Sequence, residues 1–183
     1  TASRTITLDG NATIGSITLN EDTVTANSYV IGFSAARALT FDTTTGNATL
    51  NARGAGGYAI GTQGSGQIIL NDPLAISAGA SGAATADSAT VALSSQVTGS
   101  GGLILSSLSS NDGSGTVPSG FRGTVLRSTT ANSFSGGVTV HSGFLMLAGN
   151  IGNLGAGNLT LYSSDPSSGA GTNLSLKTNG GTL

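Results

Sequence analysis

The chain has 183 residues, enough for one substantial domain or a run of small repeats. Cysteine is absent, which excludes a disulfide framework or a thiolate metal site, and only 8% of residues are charged, against about a quarter in an ordinary soluble domain. That balance excludes a coiled coil, a helical bundle and a charged tail, and a net charge of −2 with no basic cluster argues against nucleic acid as a partner.

Glycine stands at 30 residues, and serine and threonine are also far above average usage. No apolar run approaches the roughly 18 to 20 residues of a membrane helix. The chain opens at Thr1 without an apolar leader and closes on Gly181-Thr182-Leu183. Both ends read as cut from something longer.

The recurrent signal along the chain is an apolar–small–apolar triplet. After a first strand-like segment at Arg4-Thr5-Ile6-Thr7-Leu8, it appears at Ile17-Thr18-Leu19, Leu39-Thr40-Phe41, Ala48-Thr49-Leu50 and Ile68-Ile69-Leu70. It returns at Val91-Ala92-Leu93, Leu103-Ile104-Leu105, Val138-Thr139-Val140, Leu145-Met146-Leu147, Leu159-Thr160-Leu161 and Leu174-Ser175-Leu176. Period-two alternation between glycine, asparagine and serine punctuation predicts strands. The alanine-rich stretch 75–92 is the best helical candidate, but its glycines and hydroxyl residues make it a loop leading into the Val91 strand.

The triplets recur. Leu19 to Phe41 is about 22 residues, as are Leu103 to Val125 and Val125 to Leu147, while the later steps of about 15 suit single sides of a coil. Strands this short, with glycine at the corners, favour an all-β, right-handed parallel β-helix over an antiparallel sandwich. The expectation is one β-solenoid segment over 1–183, of roughly eight coils, with Leu145, Leu147, Leu159 and Leu161 inward and Met146 and Thr160 outward.

Residues 132–161 carry a resemblance. Asn132-Ser133-Phe134-Ser135-Gly136-Gly137 leads into Val138-Thr139-Val140, a small-residue corner at His141-Ser142-Gly143, and Phe144-Leu145-Met146-Leu147. Leu154-Gly155-Ala156-Gly157-Asn158-Leu159-Thr160-Leu161 completes the pattern. This resembles the passenger-associated transport repeat of bacterial autotransporters. Val97-Thr98-Gly99-Ser100-Gly101-Gly102-Leu103-Ile104-Leu105 resembles the coil that often lies upstream of it. The resemblance implies a secreted or surface-exposed passenger, β-helical, tied to transport rather than to a reaction. Independently, Asn132 suits side-chain bonding to backbone, Phe134 suits anchoring a corner, and Gly136 and Gly137 suit a tight turn.

Candidates for chemistry are sparse. His141 follows a strand and would point outward, with no second histidine to make a metal pair. The acidic residues are Asp9, Glu21, Asp22, Asp42, Asp72, Asp87, Asp112 and Asp165; Asp22 and Asp42, about one coil apart, form the best pair for a polysaccharide-cleaving site. Asn111-Asp112-Gly113-Ser114-Gly115 lacks the ligand spacing of a calcium loop, and Arg122 and Arg127 are isolated.

The expected function is a non-catalytic structural or adhesive β-solenoid, extracellular or on the bacterial outer surface, with no catalytic, metal or cofactor residues. A self-associating filament or surface-layer component and a glycan or host-surface ligand fit this reading. The alternatives are a polysaccharide-active enzyme on a pectin-lyase-like β-helix and a passive stalk for a functional head outside the chain.

Overall fold

The structure, a computed structural model, describes residues 4–19, 28–34, 36–54, 56–78, 90–107, 123–142, 144–148 and 154–162. All regular structure among them is strand. Every ladder between strands is parallel, and the strands fall into three sheets.

Sheet A contains β1 (Arg4–Leu8), β4 (Tyr29–Phe33), β7 (Gly57–Ile60), β10 (Thr90–Leu93), β13 (Gly123–Leu126) and β15 (Phe144–Leu147). Sheet B contains β2 (Ala12–Ile14), β5 (Ala38–Phe41), β8 (Gln67–Leu70) and β11 (Gln96–Gly99). Sheet C contains β3 (Ser16–Leu19), β6 (Ala48–Ala52), β9 (Leu74–Ala78), β12 (Leu103–Ser107), β14 (Val138–Val140) and β16 (Leu159–Leu161). From β1 to β12 the chain visits A, B and C in rotation, laying each strand beside its predecessor one coil back, as in a parallel β-solenoid.

Among the described residues sheets A and C are six strands deep and sheet B four. The coil step is not constant. A residue meets its partner 21 residues on between Gly123 and Phe144, but 35 residues on between Leu103 and Val138. The 22-residue step from Leu19 to Phe41 joins positions on different sheets, Leu19 in sheet C opposite Ala52 and Phe41 in sheet B between Ile14 and Leu70, whereas the step from Val125 to Leu147 stays within sheet A. Alternation marks strands but not the length of the corners between them.

Inside, like stacks on like. One column runs Ile17, Leu50, Ile76, Leu105, Val140 and Leu161 through sheet C, and another runs Ile6, Ile31, Ile60, Leu93, Leu126 and Leu147 through sheet A. Their middle members are buried and share one core with Phe33, Phe41, Tyr58 and Phe134, except Ile31, which is partly buried against it. Only the outermost members stand open, Ile6 at 57% exposure and Leu161 at 48%. Leu145 is buried, and Leu147 and Leu159 are partly buried against the core, as expected. Leu161 departs from expectation because it sits on the last strand of its sheet, where no further described strand covers it. Thr160 faces out; the Met146 side chain and the triplet Leu174–Leu176 lie outside the described residues.

A second correction concerns residues 75–92. Their first residues belong to β9, whose Leu74, Ile76 and Ala78 alternate inward, and residues 79–89 lie outside the described set. The β-branched Ile76 on an alternating background decides for strand over loop.

The glycine corner between sheets B and C follows from stacking. Gly101-Gly102 precedes Leu103, and Gly136-Gly137 precedes Val138, which pairs with Leu103 one coil on. The two segments singled out by resemblance thus lie on top of each other. A Cβ on Gly102 would stand 2.6 Å from the Gly136 carbonyl oxygen, and one on Gly136 would stand 2.4 Å from the Gly102 nitrogen. Backbone meets backbone there, so only glycine fits. Phe134 is fully buried beside this corner, as its anchoring role requires.

Candidate functional site

Of the acidic pair proposed from sequence, Asp42 lies among the described residues and Asp22 outside them, as do Glu21, Asp87, Asp112, Arg122 and Asp165. Asp42 accepts a hydrogen bond from Asn71 Nδ2 at 2.8 Å. Asp72 accepts from the Thr43 backbone N–H at 2.6 Å and from Thr43 Oγ1 at 3.1 Å. Both carboxylates thereby tie one B–C corner to the next. These are turn-holding bonds, with each carboxylate acting only as an acceptor.

His141 is half-buried and stacks on Tyr162, with ring centroids 4.5 Å apart. Arg127 donates from Nε to Ser94 Oγ at 2.7 Å. Asp9 is exposed. No group of three or more metal-ligating side chains occurs among the described residues.

The structure draws attention to a feature that triplet reading passed over. At the corner where sheet A hands the chain to sheet B, an open groove of about 530 Å³ is lined by Asn11, Arg37, Gln67, Gln96, Ser128 and Thr130, with small residues between them. These side chains come from five successive coils. At about 4.8 Å per coil the groove spans about 19 Å along the stacking direction.

Register builds its floor. Ala38, Gln67 and Gln96 occupy equivalent positions at the start of β5, β8 and β11. Gln67 Nε2 donates to Gln96 Oε1 at 3.1 Å, and Gln96 Nε2 donates to the Ala131 carbonyl at 2.8 Å. At the other end Asn11 Oδ1 accepts the Ala38 N–H at 3.0 Å. Gln67 and Gln96 therefore form a directed ladder that runs on to the Ala131 carbonyl, while Asn11 is tied to backbone one coil below it.

One wall is the turn Thr62–Ser65. Gly64 and Gly66 adopt φ of +71° and +64° there, conformations that favour glycine. The turn is fastened from the next coil by Ser95, whose hydroxyl donates to the Ser65 carbonyl at 2.6 Å and accepts the Thr62 N–H at 3.0 Å. Gln63 Nε2 reaches a further coil, donating to the Arg127 carbonyl at 2.8 Å. The wall is thus pinned across three coils.

Within the groove Arg37 is the one ionisable lining residue, and its guanidinium carries no ion pair among the described residues. The only sequence signal for the site is the polar residue directly ahead of an apolar strand: Asn11 before Ala12, Gln67 before Ile68, Gln96 before Val97. That signal becomes legible only once the register is known.

Among the described residues no helix is long and apolar enough to cross a membrane. Comparison with protein-family models, curated proteins and solved structures returned no match to the chain.

Proposed function

We propose that the chain is a segment of a non-catalytic, right-handed β-solenoid, displayed outside the cell as a rigid structural or adhesive rod. The observation that carries this reading is the in-register core column from Ile17 to Leu161, continuous through six strands of sheet C. A core of this kind transmits rigidity along one direction, with each coil contacting chiefly its neighbours. The right-handed sense follows from the strong preference of parallel crossover connections for that hand. The external location and the role as a passenger rest on the resemblance of residues 132–161 to the autotransporter repeat.

The carboxylates support the non-catalytic part. Asp42 and Asp72 are spent on neighbouring corners, which argues for a scaffold over the polysaccharide-active alternative. The proposal extends to end-to-end self-association, since a chain with only 8% charged residues offers little repulsion against stacking of one copy on another.

Antibody labelling of intact cells producing the full protein, read by electron microscopy, tests the reading. Surface-labelled rods are expected; exclusively internal label overturns the location. Turnover of a polysaccharide that disappears with Asp42→Asn overturns the non-catalytic assignment. A chain that sediments as a monomer at every concentration overturns the self-association.

A further inference from the structure

We infer that the groove at the A–B corner is a binding site for a linear, carboxylated glycan, with Arg37 holding a sugar carboxylate and the amide ladder holding hydroxyls. The inference deepens the adhesive reading above and rests on it for its biological setting, but its chemistry stands on the groove alone.

Shape comes first. The groove runs along the stacking direction across five coils, so it suits an extended chain better than a compact small molecule. Its polar groups recur at the coil spacing, and a polymer of repeating units can satisfy such a ladder more than once.

Hydrogen-bonding capacity comes next. The ladder consumes Gln67 Nε2 with Gln96 Oε1, and Gln96 Nε2 with the Ala131 carbonyl. It leaves Gln67 Oε1 as an acceptor at the exposed surface, while Asn11, with Oδ1 committed to Ala38 N–H, presents Nδ2 as a donor. Thr130 adds an exposed hydroxyl. A sugar hydroxyl both donates and accepts, and so matches this mixture. No aromatic ring among the described residues lines the groove, so recognition there proceeds by hydrogen bonds rather than by stacking.

Charge decides the subclass. A neutral glycan would leave the Arg37 guanidinium without a counter-charge, whereas a carboxylate pairs with it in two parallel N–H···O bonds. A single guanidinium can pair with a sulfate or phosphate in the same way, so binding of a sulfated probe in place of the carboxylated ones would overturn the carboxylate assignment. A uronate or a sialate supplies the same carboxylate, and the two sources are separated by experiment.

The test is calorimetric titration of the 183-residue chain with oligogalacturonate, sialyllactose and neutral maltohexaose at millimolar concentration. One or both carboxylated probes are expected to bind and maltohexaose to bind at least about fivefold more weakly, the range of an exposed charge-assisted contact. Arg37→Gln is expected to remove that preference, and Gln67→Ala to weaken binding of every probe. Arg4→Gln, an exposed arginine outside the groove, controls for general charge attraction and is expected to leave affinity within about twofold.

Circular dichroism and melting of each variant accompany the titrations. A folded chain that binds none of the three probes overturns the inference while leaving the scaffold reading intact. Equal binding of maltohexaose, or equal loss on Arg4→Gln and Arg37→Gln, overturns it as well. Loss of the β-sheet spectrum in the unsubstituted chain would instead defeat the solenoid reading itself.

Discussion

Asn132 and Val97 meet across one coil, where the Asn132 side-chain oxygen accepts the Val97 N–H at 2.8 Å in a buried setting. Sheet B ends at β11, so no strand on the following coil continues its ladder. The asparagine side chain supplies the acceptor, while the neighbouring Ser133 N–H returns a bond to the Val97 carbonyl at 2.9 Å. Main-chain bonding thus carries on past the last formal strand of the sheet. Phe134, two residues along, fills the core beneath.

Asn132→Ala is therefore expected to destabilise the fold by about 1–3 kcal/mol, because it strands the buried Val97 N–H. Ser133→Ala, at an exposed side chain, is expected to stay within about 0.5 kcal/mol. Denaturant titration of the two variants checks the difference, and equal shifts would show that the side-chain bond contributes nothing.

The sheet C column gives a second prediction. Leu50 is fully buried between Ile17 and Ile76, and its neighbour Thr49 faces the other way and is half-buried. Leu50→Ala is expected to cost about 2–5 kcal/mol through lost burial and a residual cavity. Thr49→Ala is expected to cost less than about 1 kcal/mol. Thermal melting distinguishes them.

Two glycines separate backbone strain from collision. Gly46 and Gly137 have nearly the same φ, +78° and +79°. A Cβ on Gly46 meets nothing within 4 Å, whereas one on Gly137 would lie 2.5 Å from the Asn158 carbonyl oxygen. Gly46→Ala is expected to cost about 1–2 kcal/mol from the left-handed conformation alone. Gly137→Ala is expected to cost clearly more, since two coils must also part. Similar unfolding midpoints for the two would refute the close stacking.

The B–C corner carboxylates are expected to differ in weight. Asp72 accepts two bonds from Thr43, so Asp72→Ala is expected to cost about 1 kcal/mol after allowance for its partial exposure. Asp42→Asn keeps an oxygen for Asn71 at an exposed position and is expected to change stability by less than about 0.5 kcal/mol. Chemical denaturation measures both.

The sequence by itself determined that this chain is built of short strands with glycine corners, because period-two alternation and positive-φ punctuation are local properties. Leu39–Phe41, Ala48–Leu50 and Val138–Val140 announce themselves that way, and so do the corner roles of Phe134 and Gly137. Where alternation fails a strand is harder to read: Val91–Leu93 shows as an apolar triplet, but β7 and β13 do not. In β7 three consecutive residues are buried, and in β13 all four are, because Ala59, Ala92 and Val125 pack into a second apolar cluster on the opposite face of sheet A. A strand covered on both faces leaves no polar-out signal.

Only the tertiary structure decided register, and with it everything that depends on which residues are neighbours one coil apart. Coil steps vary between the pairs Gly123–Phe144 and Leu103–Val138, so no fixed period could place Gln67 beside Gln96 or bring Asn11, Arg37 and Thr130 to one groove. Corner length costs little free energy, since loop closure depends only weakly on length, whereas register is held by the hydrophobic columns between distant strands. The groove is a product of that register, and no local stretch of the chain encodes it.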